Sequence, residues 1–448
     1  AALTLAVTPA APPAAAQQLA VPITIDTLDN GLTLIVHEDH SAPVVAVNVW
    51  YHVGSGDEKP GRTGFAHLFE HLMFMGSAHA PYPAFDRMLE AVGANNNGST
   101  DPDRTNYFEW GPSNALPLML WLEADRMGWM LPTMDSAKVD AQRDVVKNER
   151  RQRVENQPYG MVSDVQPPLM FPSRHPYSWP VIGSMADLSA ASVEDVKEFF
   201  RIYYAPNNAS IVVAGDVKTA EVKALVRQYF GGIPRGPAIE RPAAGAPRLA
   251  RDTSVVLEDR VQLPRLYLTW LTPKGWDKDD AALSVAAYVL SGAKSSRLDK
   301  ALVYEEELAS SMTAYQDGRR LAGQFEVITT ARPGKTLGEL QARVDQIIAT
   351  LGREGPTARE LEQAKNSIES RFLRRMEMVI AKADMLNQYQ YAIGTPDGFQ
   401  KDIDRIRAVS AEDVKRVVTQ YLSGPRGQVS VVPEGRRELA APPRGVQP

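Results

Sequence analysis

The chain has 448 residues, of which 44% are hydrophobic and 23% charged, and its formal net charge is −5. This length predicts two or more domains, and the composition is typical of a globular protein. The small negative charge and the shortness of the basic runs argue against a nucleic-acid partner. The chain has no cysteine, which excludes a thiol nucleophile, a disulfide framework and a cysteine-ligated zinc.

The first 23 residues differ in composition from the rest of the chain. An apolar run at residues 1–7 and the alanines at 14–16 are typical of the end of a secretory signal with its small-residue cleavage context. The alternative is a disordered Ala/Pro tail. No later stretch is long and apolar enough to span a bilayer, and the absence of cysteine suits an oxidising compartment. We therefore predict a periplasmic or secreted protein without a membrane span.

The motif with the clearest chemistry is His67-Leu-Phe-Glu70-His71. On a helix these three polar side chains share one face, where two imidazoles one turn apart can bind a single zinc ion. The order His-x-x-Glu-His is the inverted zincin motif, in which the glutamate is the general base. A solvated helix face is the alternative, but the flanking residues are apolar. They predict a largely buried helix, and buried histidines and glutamates need polar partners.

A hydrolytic zinc site usually has three protein ligands, so one ligand remains to be found. A long helix predicted over 136–155 carries Glu149 on the same stripe as two valines, whereas Glu155 follows a run that is typical of a solvated surface. Glu149 also lies four residues before Arg153, so an intrahelical salt bridge is the alternative. Spacing alone does not choose between these two interpretations.

The chain divides into two similar halves. A Pro/Gly/Ala-rich stretch, 233–252, is a predicted linker. The helix start at Ser192 and the strand at 210–214 recur 218 residues later, at Ser410 and 428–432. The segment 287–291, which corresponds to 67–71, has no metal-binding side chains. We predict an α+β protein of two homologous halves, 24–232 and 253–435, each a mostly antiparallel sheet with helices on one side, and a flexible tail at 436–448.

The sequence resembles the pitrilysin/insulysin family of zinc metallopeptidases, especially its short two-domain members similar to mitochondrial processing peptidase. The resemblance covers about 24–433. It rests on these segments: Leu28-Asp-Asn-Gly-Leu32, Gly54-Ser-Gly-Asp-Glu58, the motif from Gly64 to His71, Val146-Lys-Asn-Glu149, Ala205-Pro-Asn-Asn-Ala209, Gly215-Asp216 and Ser295-Ser-Arg-Leu298. It implies that His67, His71 and Glu149 bind one Zn²⁺ per chain. It also implies that Glu70 is the catalytic base and that the substrates are peptides or unfolded segments.

The resemblance also indicates where a substrate binds. Residues Asn97, Gly98, Ser99 and Thr100, with the strand predicted at 105–110, resemble the family's edge strand, to which an extended peptide adds. The alternative is that 95–101 is only a polar turn. Tyr107 and Phe108 are candidates for the chamber wall, or equally for sheet core.

Three positions depart from the family pattern. Gln142 stands where the family often has a second acid near the ligand glutamate, and it is expected to orient a ligand without adding charge. Active members, or their partner subunits, carry an Arg/Tyr pair in the second domain, and an ungapped alignment places Val303 and Ser310 there. The chain is therefore predicted to be half of a heterodimer whose other subunit supplies this pair. A self-sufficient homodimeric peptidase and a non-catalytic structural subunit are the alternatives.

Overall fold

The structure is a computed structural model that describes residue 19 and the ranges 21–242 and 244–444. The strands of the first half are β1 (Thr24–Thr27), β2 (Thr33–Glu38), β3 (Val44–Tyr51), β4 (Asn95–Thr100), β5 (Thr105–Pro112) and β6 (Ala209–Gly215). Its helices are α1 (Phe65–Leu72), α2 (Ala84–Ala91), α3 (Leu116–Trp129), α4 (Ser136–Arg150), α5 (Val162–Met170), α6 (Met185–Ala190), α7 (Val193–Tyr203) and α8 (Thr219–Phe230).

The second half begins after a stretch, 231–252, in which the described residues form no helix or strand. Its strands are β7 (Thr253–Asp259), β8 (Arg265–Thr272), β9 (Ala309–Gly318), β10 (Gly323–Ala331) and β11 (Gly427–Pro433). Its helices are α9 (Asp280–Ser291), α10 (Leu337–Glu354), α11 (Ala358–Arg375), α12 (Val379–Ile393), α13 (Phe399–Arg407) and α14 (Ala411–Val417).

The two sheets have the same topology. The first has the strand order β1-β2-β6-β3-β5-β4 and the second β7-β11-β8-β10-β9. In each sheet one pair is parallel, β2 with β6 and β7 with β11, and the other pairs are antiparallel. The β1 strand is the one addition in the first sheet. The predicted fold class, two α+β halves with mostly antiparallel sheets, is confirmed.

The repeat seen in the sequence has a local physical cause. Ser192 and Ser410 each cap a helix, α7 and α14, and in both helices an aspartate three residues later completes a capping box. Such a box satisfies backbone N–H groups that the first turn of a helix leaves without partners. Each of these helices leads to a strand, β6 or β11, that lies inside its sheet.

One face of each sheet carries the large hydrophobic cores. The first core lies between the first sheet and α1, α3, α4, α7 and α8, and the second between the second sheet and α9, α10 and α14. The opposite faces are covered by an exchange of helices between the halves. Helix α12 of the second half packs on β3 and β6, whereas α5 of the first half packs on β8 and β11. Helices therefore cover both faces of each sheet, and on one face the covering helix comes from the other half.

Residues 95–100 form the edge strand β4, as the resemblance implied for 97–100, and the turn falls at 101–104. Two segments differ from what the sequence predicts. Residues 436–444 are not a free tail, because Ala441 is only 4% exposed and packs in the second core, while Arg444 pairs with Asp252. Near the other end, Val21 packs in the small core beneath α12. Most of the predicted signal segment, residues 1–18 and 20, lies outside the described residues. The last part of the predicted tail, residues 445–448, also lies outside them.

Candidate metal centre

Helix α1 carries the two histidines and is fixed at its N-terminus by a buried carboxylate. Glu58, only 6% exposed, accepts hydrogen bonds from the backbone N–H groups of Gly64 (3.0 Å) and Ala66 (2.8 Å). Gly64 has a φ of 89°, a left-handed conformation that glycine adopts without steric cost. The apolar residues of α1 lie in the first core, as the flanking sequence predicted. His67 and His71 therefore project from a rigid helix.

Helix α4 brings Glu149 to the two imidazoles. Its Oε2 lies 3.6 Å from Nε2 of His67 and 3.1 Å from Nε2 of His71. Val146, which is fully buried, anchors this side of the helix, whereas Val145 is 45% exposed and so does not belong to the buried stripe that the sequence suggested. The competing acid, Glu155, lies past the end of α4.

The structure is compatible with both interpretations of Glu149, because its two oxygens have different neighbours. Oε1 pairs with Nη1 of Arg153 at 2.6 Å, while Oε2 faces the histidines. Glu155 instead pairs with Arg150 at 3.4 Å. Among the described residues, His67, His71 and Glu149 form the one group of three or more possible ligands whose donor atoms converge, all within 4.8 Å of one another.

These donors fit a zinc ion. Ligand atoms about 2.1 Å from a tetrahedral ion lie about 3.4 Å from one another, and the measured separations of 3.1 and 3.6 Å bracket that value. Two imidazole nitrogens and one carboxylate oxygen are a donor set that zinc accepts, with a fourth position left open. In addition, Oε2 of Glu149 is buried and has no hydrogen-bond partner among the described residues. A cation would satisfy that oxygen.

The local electrostatics suit these side chains to binding a metal. Burial, with His71 nearby, lowers the pKa of His67 to about 4, so its imidazole is neutral at pH 7 and keeps a lone pair for a metal. The close approach of His71 lowers the pKa of Glu149, which keeps the carboxylate ionised. Burial has the opposite effect on Glu70, whose pKa it raises although a hydrogen bond from Thr100 opposes the shift. A raised pKa suits a group that takes up and returns a proton.

Glu70 lies against the edge strand β4. The hydroxyl of Thr100 donates to Oε2 of Glu70 at 2.6 Å. A β-carbon on Gly98 would lie 3.2 Å from Cγ of Glu70 and 3.3 Å from the carbonyl oxygen of Asn106, so the strand and the helix approach closely here. Because β4 is the last strand of its sheet, its outer edge is open for an added strand beside Glu70.

The other candidate site residues occupy different positions. Gly98, Ser99 and Thr100 line a cavity of about 740 Å³ together with His67, Glu70 and Glu149. The side chain of Asn97 instead accepts a hydrogen bond from the backbone of Gly98, and the amide nitrogen of Gln142 lies 2.9 Å from Sδ of Met75. A role for Gln142 in orienting a ligand stays a prediction.

The two aromatic candidates lie on β5. Tyr107 is fully buried in the first core, and its hydroxyl donates to the carbonyl of Phe69. Phe108 points to the other face of the sheet and stacks on Trp110. Neither residue is among those that line the cavity. Burial therefore favours sheet core for Tyr107, and the expectation that it contacts substrate is corrected.

The second half supplies part of the cavity wall, which the sequence did not reveal. The same cavity that His67, Glu70 and Glu149 line is also lined by Tyr267, Tyr315, Arg319 and Glu326. No local pattern marks these residues, because the sheets come together only through long-range packing. Val303 and Ser310, where the Arg/Tyr pair was expected, are not among the described lining residues, and the hydroxyl of Ser310 donates to the carbonyl of Thr330.

The fold and the site together define a two-half α+β protein with a His/His/Glu cluster and a nearby glutamate in one half. Two family models match the chain. Residues 33–166 match the insulinase family, also called peptidase family M16, and residues 190–368 match the peptidase M16 inactive domain. The half that carries the His/His/Glu cluster is thus matched by the first model. The model of the inactive domain begins at 190, in the last part of the first half. It extends to 368 in the second half, which lacks such a cluster among its described residues.

Full-length relatives agree with these matches. The zinc protease PqqE of Helicobacter pylori is 30% identical over 403 residues, which cover 88% of this chain and 89% of the relative. The chain therefore belongs to the insulinase family, as the sequence motifs predicted. A probable mitochondrial-processing peptidase subunit beta of Arabidopsis thaliana is 25% identical over 408 residues, covering 89% of this chain and 76% of that protein.

A solved structure shows the same architecture. The crystal structure of a protease from Helicobacter pylori superposes with a TM-score of 0.87 at 27% identity, and the match covers 92% of this chain and 99% of that one. Among the described residues, no helix has the length and hydrophobicity needed to cross a membrane.

Proposed function

We propose that the protein is a zinc-dependent endopeptidase subunit that hydrolyses peptides or unfolded segments. The observation that carries this proposal is the convergence of His67, His71 and Glu149 beside Glu70, at the open edge of β4. Family membership and relatives named as zinc proteases support it. His67, His71 and Glu149 would hold one zinc ion per chain.

The mechanism assigns a task to each group. When bound, zinc supplies Lewis-acid polarisation of a peptide carbonyl and makes a water more acidic. An extended peptide pairs with the outer edge of β4 through its main chain, so that selection by side chains is broad. Glu70 accepts a proton from the attacking water and returns it to the leaving amine. The raised pKa of Glu70, caused by burial, brings this carboxyl closer to the working pH.

Replacing Glu70 by Gln tests the assignment of the base. We expect Glu70→Gln to keep about one zinc per chain and to lower kcat by about 10²- to 10⁴-fold, because only the proton acceptor is lost. The matched variant Glu149→Gln is expected to lose zinc as well as activity. Metal analysis and peptide cleavage are measured on both proteins. Hydrolysis by Glu70→Gln at the parental rate would show that another group is the base.

We further propose that the active form contains a homologous partner subunit. Hydrolysis of a peptide bond develops negative charge on the carbonyl oxygen, which hydrogen-bond donors other than the metal ligands would help to stabilise. Val303 and Ser310 offer neither a guanidinium nor a phenol for this task. A related subunit with an Arg/Tyr pair at the equivalent positions would supply both. A homodimer that acts by itself is the alternative.

Mixing experiments separate these two forms. We expect a homologous subunit that lacks the zinc motif and carries the Arg/Tyr pair to raise kcat/KM of this chain by about 10²- to 10³-fold, since removal of one such donor has a comparable effect. The rate should saturate at one partner per chain. Full activity of the chain alone would favour the homodimer.

A non-catalytic structural subunit of the same fold is the second candidate. All four motif residues are present and three of them converge, which favours the enzyme. Zinc analysis of the purified protein discriminates, because a structural subunit has no need of about one zinc per chain. The apolar N-terminal run and the absence of cysteine support a periplasmic or secreted location as part of this proposal.

A further inference from the structure

Arg319 presents an ordered guanidinium group on the cavity wall that the second half contributes. It follows β9, and its Nε donates to Oδ2 of Asp317 at 2.7 Å. Its guanidinium carbon lies 5.6 Å from the ring centroid of Tyr177, which is only 2% exposed. The hydroxyl of Tyr177 in turn donates to Asp103 at 2.5 Å. An ion pair and an immobile ring therefore fix the orientation of this arginine.

Most of the donors of Arg319 remain available. Nε is its one side-chain group that hydrogen-bonds within the part of the chain that the structure describes, and the side chain is 29% exposed. A guanidinium has five N–H donors and remains charged at any pH at which proteins fold. Its two Nη groups form a planar fork that matches the two oxygens of a carboxylate.

Arg319 lies where two cavities meet. It lines the 740 Å³ cavity that contains His67 and Glu70, and also a second cavity of about 580 Å³ between the halves. Pro102, in the turn directly after β4, likewise lines both. The path along β4 therefore leads past Glu70 and Pro102 to Arg319.

The strand directions indicate which part of a peptide reaches this point. From β6 through β3 and β5 to β4, each strand pairs antiparallel with its neighbour in the sheet. An added peptide that continues this pattern also runs antiparallel to β4. Thr100, which bonds to Glu70, is the last residue of β4. In this orientation, the part of the peptide that extends past Thr100 toward Pro102 lies on the amino-terminal side of the scissile bond beside Glu70.

No acid among the described residues bonds to the two Nη groups of Arg319. Asp101 and Asp103 also line the second cavity, but they pair with Arg104 and Arg320. In the first cavity, Glu326 already accepts hydrogen bonds from Tyr315 and Gln166. In the second cavity, Lys274 adds positive charge at an exposed position. Asp317 is the one acid bonded to Arg319 among the described residues, and it occupies Nε.

We propose that Arg319 is a specificity-determining residue that binds a carboxylate of the substrate peptide through its two Nη groups. The antiparallel geometry favours the side chain of an Asp or Glu on the amino-terminal side of the scissile bond. This inference rests on the proposed function, because it assumes that peptides bind along β4. The free C-terminal carboxylate of a peptide has the same chemistry and is the other possible source.

Peptide binding tests the inference without requiring turnover. The zinc-loaded Glu70→Gln chain is titrated into fluorescein-labelled peptides of about twelve Thr, Val and Gln residues, acetylated and amidated, with one Glu scanned through successive positions. We expect Glu at one or two positions to tighten binding about tenfold over the all-Gln peptide. Arg319→Gln should abolish the gain, so that this variant binds the Glu peptides no more tightly than the all-Gln peptide. Arg319→Lys should restore part of it, as expected when charge remains but the fork is lost.

Control proteins and peptides make each outcome decisive. Lys274→Gln removes a charge from the second cavity alone and should leave the gain in affinity from Glu intact. The zinc content of every variant reports on its folding. A gain confined to a peptide with a free C-terminus, and lost in Arg319→Gln, assigns the chain terminus as the carboxylate source. The absence of a gain, or a gain that survives in Arg319→Gln, overturns the inference. If peptides are hydrolysed but Glu gives no Arg319-dependent gain, only the inference is rejected. If binding depends on Arg319 but the parent chain hydrolyses no peptide, either alone or with the homologous partner subunit, only the proposed function is rejected.

Discussion

Glu149 shows how one side chain can satisfy two competing interpretations of a sequence. Helical spacing suggested either a metal ligand or a salt bridge with Arg153. The structure gives Oε1 to Arg153 and turns Oε2 to His67 and His71. The arginine thereby restricts the rotation of the carboxylate, so that Oε2 stays directed at the imidazoles. A surface pair of this kind adds little stability by itself, and its orienting effect on Glu149 is the more important consequence.

Gly98 controls the distance between the edge strand and the proposed base. A methyl group there would lie 3.2 Å from Cγ of Glu70 and 3.3 Å from the carbonyl of Asn106, closer than the contacts that carbon atoms normally make. We expect Gly98→Ala to move β4 and Glu70 apart by a few tenths of an ångström and to lower kcat roughly three- to tenfold. Steady-state kinetics on the active form, with zinc analysis, measure this effect.

A glycine without such neighbours provides the control. Gly232 has no atom within 4 Å of the position that a β-carbon would take, so Gly232→Ala should retain the parental kcat. Zinc content should be the same in both variants, because neither change touches a ligand. An unchanged kcat in Gly98→Ala would mean that the contact between β4 and Glu70 does not influence the reaction.

At the level of elements, α12 ties the second half to the first sheet. Its inner side is buried against β3 and β6, and Asn387, which is fully buried, donates to the carbonyl of Asn48 at 2.9 Å and accepts from Ser210 at 2.7 Å. Lys382 pairs with Asp39 at the rim of this contact. Apolar packing and a satisfied polar pair together specify one register for the helix on the sheet.

Shortening one buried side chain of α12 measures the stability of this contact. Leu386 is fully buried in the cluster between the helix and the first sheet. We expect Leu386→Ala to lower the free energy of unfolding by about 2–5 kcal/mol, through lost apolar burial and the cavity that remains. Gln388→Ala, at an exposed position of the same helix, should change it by less than about 0.5 kcal/mol. Chemical denaturation compares the two, and equal effects would mean that α12 is not packed on the sheet.

Across the whole molecule, the features that short segments encode were predictable. The strands at 210–214 and 428–432, the capped helices after Ser192 and Ser410, and the repeat itself follow from β-branched apolar residues, capping chemistry and internal similarity. The His-x-x-Glu-His motif was equally visible, because its residues lie within one helical turn of one another. These signals were sufficient for the fold class and the family.

What the sequence could not reveal depends on contacts between distant residues. The choice between Glu149 and Glu155 depended on where α4 ends against α1, and the cavity wall at Arg319 depended on how the halves meet. At 95–100, the residue pattern alone left a strand and a polar turn open, because an edge strand with few hydrophobic residues has no alternating pattern. The resemblance to the family indicated the strand. The exchange of α5 and α12 was also invisible, since nothing in either segment indicates that it packs on the sheet of the other half.

The exchanged helices predict that neither half is stable alone. Without α12, the outer face of the first sheet would expose side chains that are now fully buried: Ile35, Ala46, Val212 and Ala214. We expect a fragment of residues 1–245 to bind a hydrophobic dye and to aggregate, because a contiguous apolar face of this kind is rarely left in water. Coexpressed with 246–448, the same fragment should form a stable 1:1 complex that unfolds in one transition, as measured by size-exclusion chromatography and calorimetry.

The site of the cut is chosen so that only covalent continuity is lost. Gly245 and Ala246 are both exposed, and no atom lies within 4 Å of the position that a β-carbon on Gly245 would take. Because every contact between the halves is retained, the complex should also bind zinc as the intact chain does. Adding Leu386→Ala to the second fragment should weaken the complex, whereas Gln388→Ala should not. A first fragment that stays monomeric and as stable alone as in the complex would show that α12 contributes nothing to the folding of the first half.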